Sequence, residues 1–312
     1  MAEDYVAFGE IEPAFARTKE LLLPFRRSIW LRIAVIAFFI GGGGINLPSP
    51  SWSTGDMPAG LEHAVTPFLP LIIAGVVALI LLALLWSIIG TILQFVFVDM
   101  LVTNEWRILS HFSPRAGKGV RLFLFEVGLA LLLLLIVAIP AAVVFIAVIV
   151  MTGGVNISAV VAILAALLIL LVLLIPGAII QMLTIDFVVP VMIRDDCGVI
   201  GGWRSVYPVL RAEWKQALMF VLAKIVLVIA TSILQLIAMV IALIIIGIPG
   251  GLVVFAGHLA LGSLLIDAVL ATPFVLAAIV AMLLVAVPVI TFHRYYGLHV
   301  LGRLAPQYAL LP

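Results

Sequence analysis

The sequence predicts an all-α integral membrane protein with about six transmembrane helices, and two observations indicate this class. Across 312 residues, 66% are hydrophobic and 10% are charged, whereas soluble domains are roughly 45–50% apolar and about 25% charged. Six apolar runs come close to or exceed the ~20 residues that a helix needs to cross a bilayer core. They are residues 29–45, 67–102, 122–151, 158–193, 216–248 and 272–292.

The basic residues predict the orientation of these runs. All 16 Lys and Arg lie before or at the start of the first run, between the second and third, from the end of the fourth to the start of the fifth, or after the sixth. Lys and Arg concentrate in cytoplasmic loops. We therefore expect a multi-pass protein of the cell membrane with both termini in the cytoplasm. The predicted parts are an amphipathic cytoplasmic segment (1–28), a transmembrane domain (29–296) and a cytoplasmic tail (297–312).

Residues 250–271 are apolar enough to form a further span. A further span would place Arg294 and Arg303 outside and break the one-sided distribution of basic residues. The segment also contains four glycines, His258 and Asp267, which suit a lipid-facing helix poorly. It is predicted to be an external re-entrant or interfacial segment.

A polar pattern recurs at the ends of the second and fourth runs. In "ILQFVFVDMLVTNEWR" (92–107) and "IIQMLTIDFVVPVMIR" (179–194), Gln94 aligns with Gln181, Asp99 with Asp186, and Arg107 with Arg194. Each copy then enters a basic loop and returns as a further apolar run. This pattern predicts a parallel helix-loop-helix repeat, residues 92–150 and 179–248.

Four ionisable residues are predicted to lie at similar depth, near the inner headgroup boundary. They are Asp99, Glu126, Asp186 and Lys224. Ionisable groups at membrane depth are functional candidates. Two hypotheses stay open: the acids pair with Lys224, loop arginines or interfacial polar groups, or they form a proton or cation relay in a water-filled cavity.

Two cytoplasmic stretches have helical amphipathic spacing. Residues 201–216 place Trp203, Tyr207, Leu210 and Trp214 on one face, with Pro208 expected to kink or restart the helix. Residues 13–30 place Phe15, Leu22 and Phe25 beneath basic residues. Such helices lie in the headgroup region. The candidate contacts to anionic lipid are Arg26, Arg27, Arg204, Arg211 and Lys215; the alternative is an aromatic and basic belt that only anchors helix ends.

No pattern for catalysis, a metal or a cofactor is identifiable in the chain. Ser, His and Asp form no recognisable set, the glycine-rich stretches lack phosphate-loop spacing, and the single Cys197 excludes an intramolecular disulfide. We expect a non-enzyme without cofactor, whose partners are membrane lipids and other membrane proteins or a second copy, and not nucleic acid.

The segment "DFVVPVMIRDDCGVIGGWRSVYPVLRAEWKQALMFVL" resembles the span, basic loop and span of proteins grouped with the membrane domain of glycerophosphodiester phosphodiesterases. "TKELLLPFRRSIWLRIAVIAFFIGGGG" and "HRYYGLHVLGRL" resemble uncharacterised archaeal membrane proteins of that layout. The resemblance implies about six helices in the cell membrane and no established activity. We expect no soluble phosphodiesterase domain of the kind that some relatives have, so the resemblance implies no catalytic residues.

These observations favour a non-enzymatic membrane module that is accessory or scaffold to a membrane complex or handles lipid at the inner leaflet. A proton- or cation-coupled transporter or permease is the alternative. It should show discontinuous helices with polar groups near the midplane. Intramembrane catalysis on lipid-linked substrates is a third hypothesis, for which no motif is present.

Overall fold

The computed structural model describes residues 5–40, 68–152 and 157–311. This part of the chain is helical and contains no strand. The α-helices are α1 (Val6–Gly9), α2 (Ile11–Leu22), α3 (Arg27–Ile40), α4 (Leu69–Thr103), α5 (Ile108–Thr152), α6 (Ile157–Leu183), α7 (Val189–Arg194), α8 (Val199–Ala212), α9 (Trp214–Leu261) and α10 (Leu264–Leu304). A π-helical turn (Thr184–Val188) joins α6 to α7, and a short 3-10 helix (Pro306–Tyr308) follows α10.

Five helical stretches of the described residues are long and apolar enough to cross a membrane. They are Leu69–Thr103, Ile108–Val148, Leu174–Arg194, Trp214–Leu261 and Leu264–Leu304. The first predicted run, 29–45, is not among them. The structure describes residues 29–40 of this run, and they belong to α3. Helix α3 has 14 residues, which at ~1.5 Å per residue cover about 21 Å of a ~30 Å core. Residues 41–45 lie outside the described part.

The buried core lies at one end of the bundle, which we call the base. Its side chains come mainly from residues 29–37 of α3, 90–101 of α4, 183–192 around the π-helical turn, and 287–301 of α10. Beyond the base, the most apolar parts of α4 and α5 contain no buried residue. Long helices that expose Leu, Ile and Val along their length are unfavourable in water and suited to lipid tails. The chain is therefore an all-α membrane protein.

Residues 250–271 form no separate element in the structure. They are the end of α9, the turn at Gly262 and Ser263, and the start of α10. Gly262 adopts a φ of 57° and its N–H donates to the His258 carbonyl at 2.8 Å. The two helices approach closely because Gly250 faces Phe274 and Gly257 faces Leu270. The predicted re-entrant segment is thus the tip of a continuous helical hairpin.

The length of this hairpin indicates where its tip lies. His258 is about 50 Å from Lys224 along α9 at ~1.5 Å per residue, whereas a bilayer with headgroups is about 40–45 Å thick. His258 Nδ1 lies 2.7 Å from Asp267 Oδ2 across the hairpin. If Lys224 lies at one headgroup boundary, this polar pair reaches the other. Interfacial placement of the tip therefore stays a prediction.

Cysteine labelling tests the predicted orientation of the hairpin. In a Cys197→Ser background, Ser263→Cys should react from outside intact cells with an impermeant maleimide, since Ser263 lies in the turn at the hairpin tip. Ser110→Cys, at the start of α5, should react only after the membrane is permeabilised. The reverse pattern would place both termini outside, and equal labelling of both positions would contradict a spanning hairpin.

The N-terminal amphipathic segment is helical, but its predicted apolar face is divided. Leu22 is buried together with Ala14 and Thr18, whereas Phe15 and Phe25 remain 62% and 56% exposed. The predicted apolar face assumes one helical spacing through Phe25, whereas α2 ends at Leu22. The two phenylalanines are therefore available to the membrane interface.

The second amphipathic stretch also differs from its predicted spacing. Helix α8 continues through Pro208 to Ala212. The helical conformation is interrupted at Glu213, so Trp214 belongs to α9. Trp203 turns toward the π-helical turn, where its Nε1 donates to Thr184 Oγ1 at 3.1 Å. Tyr207 remains exposed.

The two copies of the predicted repeat have a similar course and different local structures. Asp99 and Asp186 are both buried near the ends of helices that run in the same direction. However, α4 remains a regular α-helix through Asp99, whereas Asp186 lies in the π-helical turn. Helix α8 also intervenes before the returning helix in the second copy alone. A duplicated origin stays a prediction.

Candidate functional site

Asp186 lies in the π-helical turn, and the local sequence contains a reason for that turn. Pro190 has no N–H to donate to the carbonyl four residues earlier, which is that of Asp186. The Thr184 hydroxyl also donates to the Ile180 carbonyl at 2.7 Å. Single π-helical turns within α-helices are frequent at functional sites. The irregular turn directs the Asp186 side chain into the base.

Asp186 forms a buried ion pair with Lys224 of α9. Lys224 Nζ lies 3.0 Å from Asp186 Oδ2, and the two residues are each 5% exposed. Lys224 Nζ also donates to the His293 carbonyl at 3.1 Å. A Cβ atom added to Gly297 would lie 3.0 Å from Asp186 Oδ1, so glycine allows α10 to approach the carboxylate.

Arg294 of α10 extends this contact to α4 and is buried as deeply as the ion pair. Its Nη1 donates to the Ile185 carbonyl at 2.8 Å, and its Nη2 donates to Gln94 Oε1. We call Gln94, Asp186, Lys224 and Arg294 the base cluster. The cluster joins four parts of the base through charge-assisted hydrogen bonds, and this satisfies groups that would be costly to bury alone.

The four residues of the predicted boundary cluster do not meet. Only Asp186 and Lys224 are in contact. Asp99 instead accepts two hydrogen bonds from Arg115, at 2.6 Å from Nε and 3.1 Å from Nη2, with His111 Nδ1 at 3.9 Å. Glu126 lies in a separate cavity. Asp99 has a different cationic partner from Asp186 because Arg115, in the first turns of α5, reaches back to Asp99.

A second charged contact joins the start of α5 to the loop before α8. Lys118 Nζ lies 2.6 Å from Asp196 Oδ1 and donates to the Met192 carbonyl at 2.7 Å. The hydrogen bond from Lys118 lowers the pKa of the exposed Asp196 carboxyl. This contact holds the connection near Cys197, whose thiol is free.

Three arginines line one cavity of about 530 Å³ at the base. Arg26 directly precedes α3, and Arg32 lies within the first half of α3. Arg107 lies in the loop between α4 and α5. The remaining lining residues are Ser28, Ile29, Glu105 and Trp106. With three guanidinium groups and one carboxylate in its lining, this arginine cavity favours an anion. Arg26 is among the lipid contacts that the sequence predicts, whereas Arg32 and Arg107 are not. The three arginines come together because α3 packs against α4.

The arginine cavity is built by specific contacts. Arg32 donates to the Trp106 carbonyl, and Trp106 Nε1 donates to Asn104 Oδ1 at 2.9 Å. Asn104 ends α4 with a φ of 56°, a left-handed conformation that asparagine tolerates. Arg26 also lines a second cavity of about 330 Å³, with Arg17, Asn104 and Tyr295.

The other predicted lipid contacts lie elsewhere. Arg27 is exposed and lines neither cavity. Arg204 and Arg211 are exposed on α8, and Lys215 is exposed in the first turn of α9. The five candidates therefore divide between two regions, and only Arg26 lines either cavity.

The described residues contain no group of three or more His, Cys, Asp or Glu that could hold a metal ion. A family model matches residues 5–311 of the chain, nearly its whole length. The chain belongs to the family of unknown function DUF7544. No curated protein and no solved structure matches the chain.

Proposed function

We propose that this DUF7544 protein is a non-enzymatic module of the cell membrane that binds anionic lipid headgroups at the inner leaflet. The arginine cavity is the observation that carries this proposal. Arginine presents a planar fork of N–H donors that matches the oxygens of a phosphate. Three such groups around about 530 Å³ suit one phosphate-bearing headgroup.

The surroundings of the arginine cavity support a location at the membrane interface. Leu23 and Phe25 lie within three residues before Arg26 and are 55% and 56% exposed. Exposed apolar side chains next to basic ones are typical of segments that lie in the headgroup region. With both termini in the cytoplasm, as the basic residues predict, the base and its arginine cavity face the inner leaflet.

The base cluster supports a structural role for Asp186 in this proposal. A proton or cation relay needs acids that line a water-filled cavity. Asp186 instead forms an ion pair with Lys224 and is 5% exposed. Asp99 is likewise bonded to Arg115. We also propose that the chain is similar in layout to the membrane domain of glycerophosphodiester phosphodiesterases. That similarity is supported by the apolar run, basic loop and returning helix at residues 186–222.

Neighbouring arginines provide a matched test. Arg26→Gln should weaken binding of phosphatidylglycerol to the purified protein about tenfold, because it removes charge-assisted hydrogen bonds from the cavity to the phosphate, which contribute about 1.5 kcal/mol or more. Arg27→Gln removes the same charge from an adjacent exposed residue outside the cavity and should have a smaller effect. Native mass spectrometry with phosphatidylglycerol and phosphatidylcholine measures both.

Combining Arg26→Gln with Arg107→Gln should lower the affinity further and remove the preference for phosphatidylglycerol over phosphatidylcholine. Arg204→Gln combined with Arg211→Gln gives the same change of charge on α8. If the α8 pair and the cavity pair weaken binding equally, net charge rather than the arginine cavity attracts the lipid. If neither pair weakens it, the proposed function is wrong.

A further inference from the structure

A third cavity, of about 350 Å³, lies at the edge of the base between α3, α4, α5 and the end of α6. We call it the glutamate cavity. Its polar lining residues are Ser87, Thr91, Gln94, Glu126 and Gln181, and Phe39 and Trp86 form part of its apolar wall. It contains both glutamines of the predicted repeat. Its lining includes no Lys, Arg or His among the residues described.

Glu126 has no hydrogen-bond or ion-pair partner within the described part of the chain, although Asp99 and Asp186 each have a cationic one. Glu126 is partly buried on α5. A carboxylate removed from water without a partner is costly. A ligand with a positive charge would offset this cost.

The polar neighbours of Glu126 have hydrogen-bonding capacity left. The Gln94 side-chain oxygen already accepts from Arg294 and is therefore not counted among the free acceptors of the cavity. Thr91 Oγ1 donates to the Ile88 carbonyl at 2.9 Å, so its lone pairs remain as acceptors. Glu126, Thr91 and the Gln181 side-chain oxygen therefore provide three kinds of acceptor around one cavity.

The glutamate cavity opens toward the lipid-facing side of the helices. Gly90, Thr91 and Gln94 are buried, whereas Ser87 and Gln181 are exposed at its rim. The rim continues into exposed apolar side chains, such as Leu85 on α4 and Ile180 on α6. An amphiphile could therefore place its polar group at Glu126 and keep its apolar chain in the membrane.

We propose that the glutamate cavity binds the protonated primary amine of a membrane amphiphile, with Glu126 as its counter-ion. An ammonium group has three N–H donors and no acceptor, which matches three acceptors better than a phosphate does. A phosphate would be repelled by Glu126. This site has the opposite charge preference from the arginine cavity and shares no lining residue with it. Failure of either proposal leaves the other intact.

Three C12 probes test the proposal with the full chain in a polyoxyethylene detergent. Dodecylammonium should raise the melting temperature of the wild type in a saturable manner at low mole fraction in the micelle. Dodecanol, which lacks the charge, and dodecyltrimethylammonium, which lacks N–H donors, should do so much less. Glu126→Gln should weaken the dodecylammonium effect by at least about tenfold in concentration. Glu213→Gln, an exposed residue outside the cavity, should leave it unchanged.

The variant without ligand separates binding from structure. Because Glu126 lacks a partner within the described residues, Glu126→Gln should not lower the melting temperature of the unliganded protein. If it does, or if Glu126→Gln does not fold, Glu126 has a structural partner and the proposal is wrong. Thr91→Val and Gln181→Met give an independent measurement, since each should weaken dodecylammonium binding with less effect than Glu126→Gln.

Further probe results would overturn the proposal. Equal responses to all three probes would indicate detergent adsorption. Equal responses to dodecylammonium and dodecyltrimethylammonium would exclude recognition through N–H donors. Dodecyl glucoside serves as a fourth probe, and a stronger response to it than to dodecylammonium would identify a site for hydroxyl groups instead.

Discussion

Asp186→Asn is expected to lower the free energy of unfolding by about 3–5 kcal/mol, the usual cost of breaking a buried ion pair from one side. Asparagine keeps the size of the side chain but leaves Lys224 without its counter-ion. Arg294, on the next helix, is also buried, so the base cluster would keep two cations and no carboxylate. Denaturant titration in mixed micelles measures the change. Asp195→Asn, an exposed acid just after α7, should change stability little.

The partner of Asp186 is tested by a second substitution. Asp186→Asn combined with Lys224→Met should recover part of the lost stability, since both charges of the pair are then removed. If the double variant loses as much free energy of unfolding as the two single variants together, Lys224 is not the main partner of Asp186. A fully stable Asp186→Asn variant would contradict the structural role. If pH-gradient-driven flux in proteoliposomes then disappeared with Asp186→Asn, the transporter hypothesis would be favoured.

Gly119→Ala is expected to lower the free energy of unfolding by about 3 kcal/mol, at the upper end of the usual cost of overpacking. An added Cβ would lie 2.4 Å from Ile92 Cγ1, 2.6 Å from Ile92 Cα and 2.9 Å from its backbone nitrogen. The backbone of α4 cannot move away as an exposed side chain could. Gly119 therefore allows α4 and α5 to approach closely in the base.

The same helix contains a matched control for this prediction. Gly117 is exposed in α5 and has nothing within 4 Å of an added Cβ. Gly117→Ala should raise stability by up to about 1 kcal/mol, because alanine is the better helix former. The two variants are compared by the same titration. A Gly119→Ala variant as stable as Gly117→Ala would contradict the close approach of the two helices.

Composition and the length of the apolar runs were enough to predict an all-α membrane protein, since the length and apolarity of the runs reflect the thickness of a bilayer. The sequence also selected Asp186 and Lys224, because charged residues in apolar runs are conspicuous. It did not select Arg294 as a site residue. Arg294 follows the last apolar run and was assigned to the cytoplasmic loops, whereas in the structure it is 5% exposed.

Tertiary packing decided the features that depend on several helices at once. Arg294 is buried because α10 brings it against both Gln94 and Ile185, residues that are far apart in sequence. The sequence pattern grouped Asp99 with Asp186, but their surroundings give them different cationic partners. Residues 250–271 form a hairpin tip because Gly250 and Gly257 allow two long helices to pack closely together. Spacing along one helix predicts which residues share a face, but it contains no information about which other helix approaches that face.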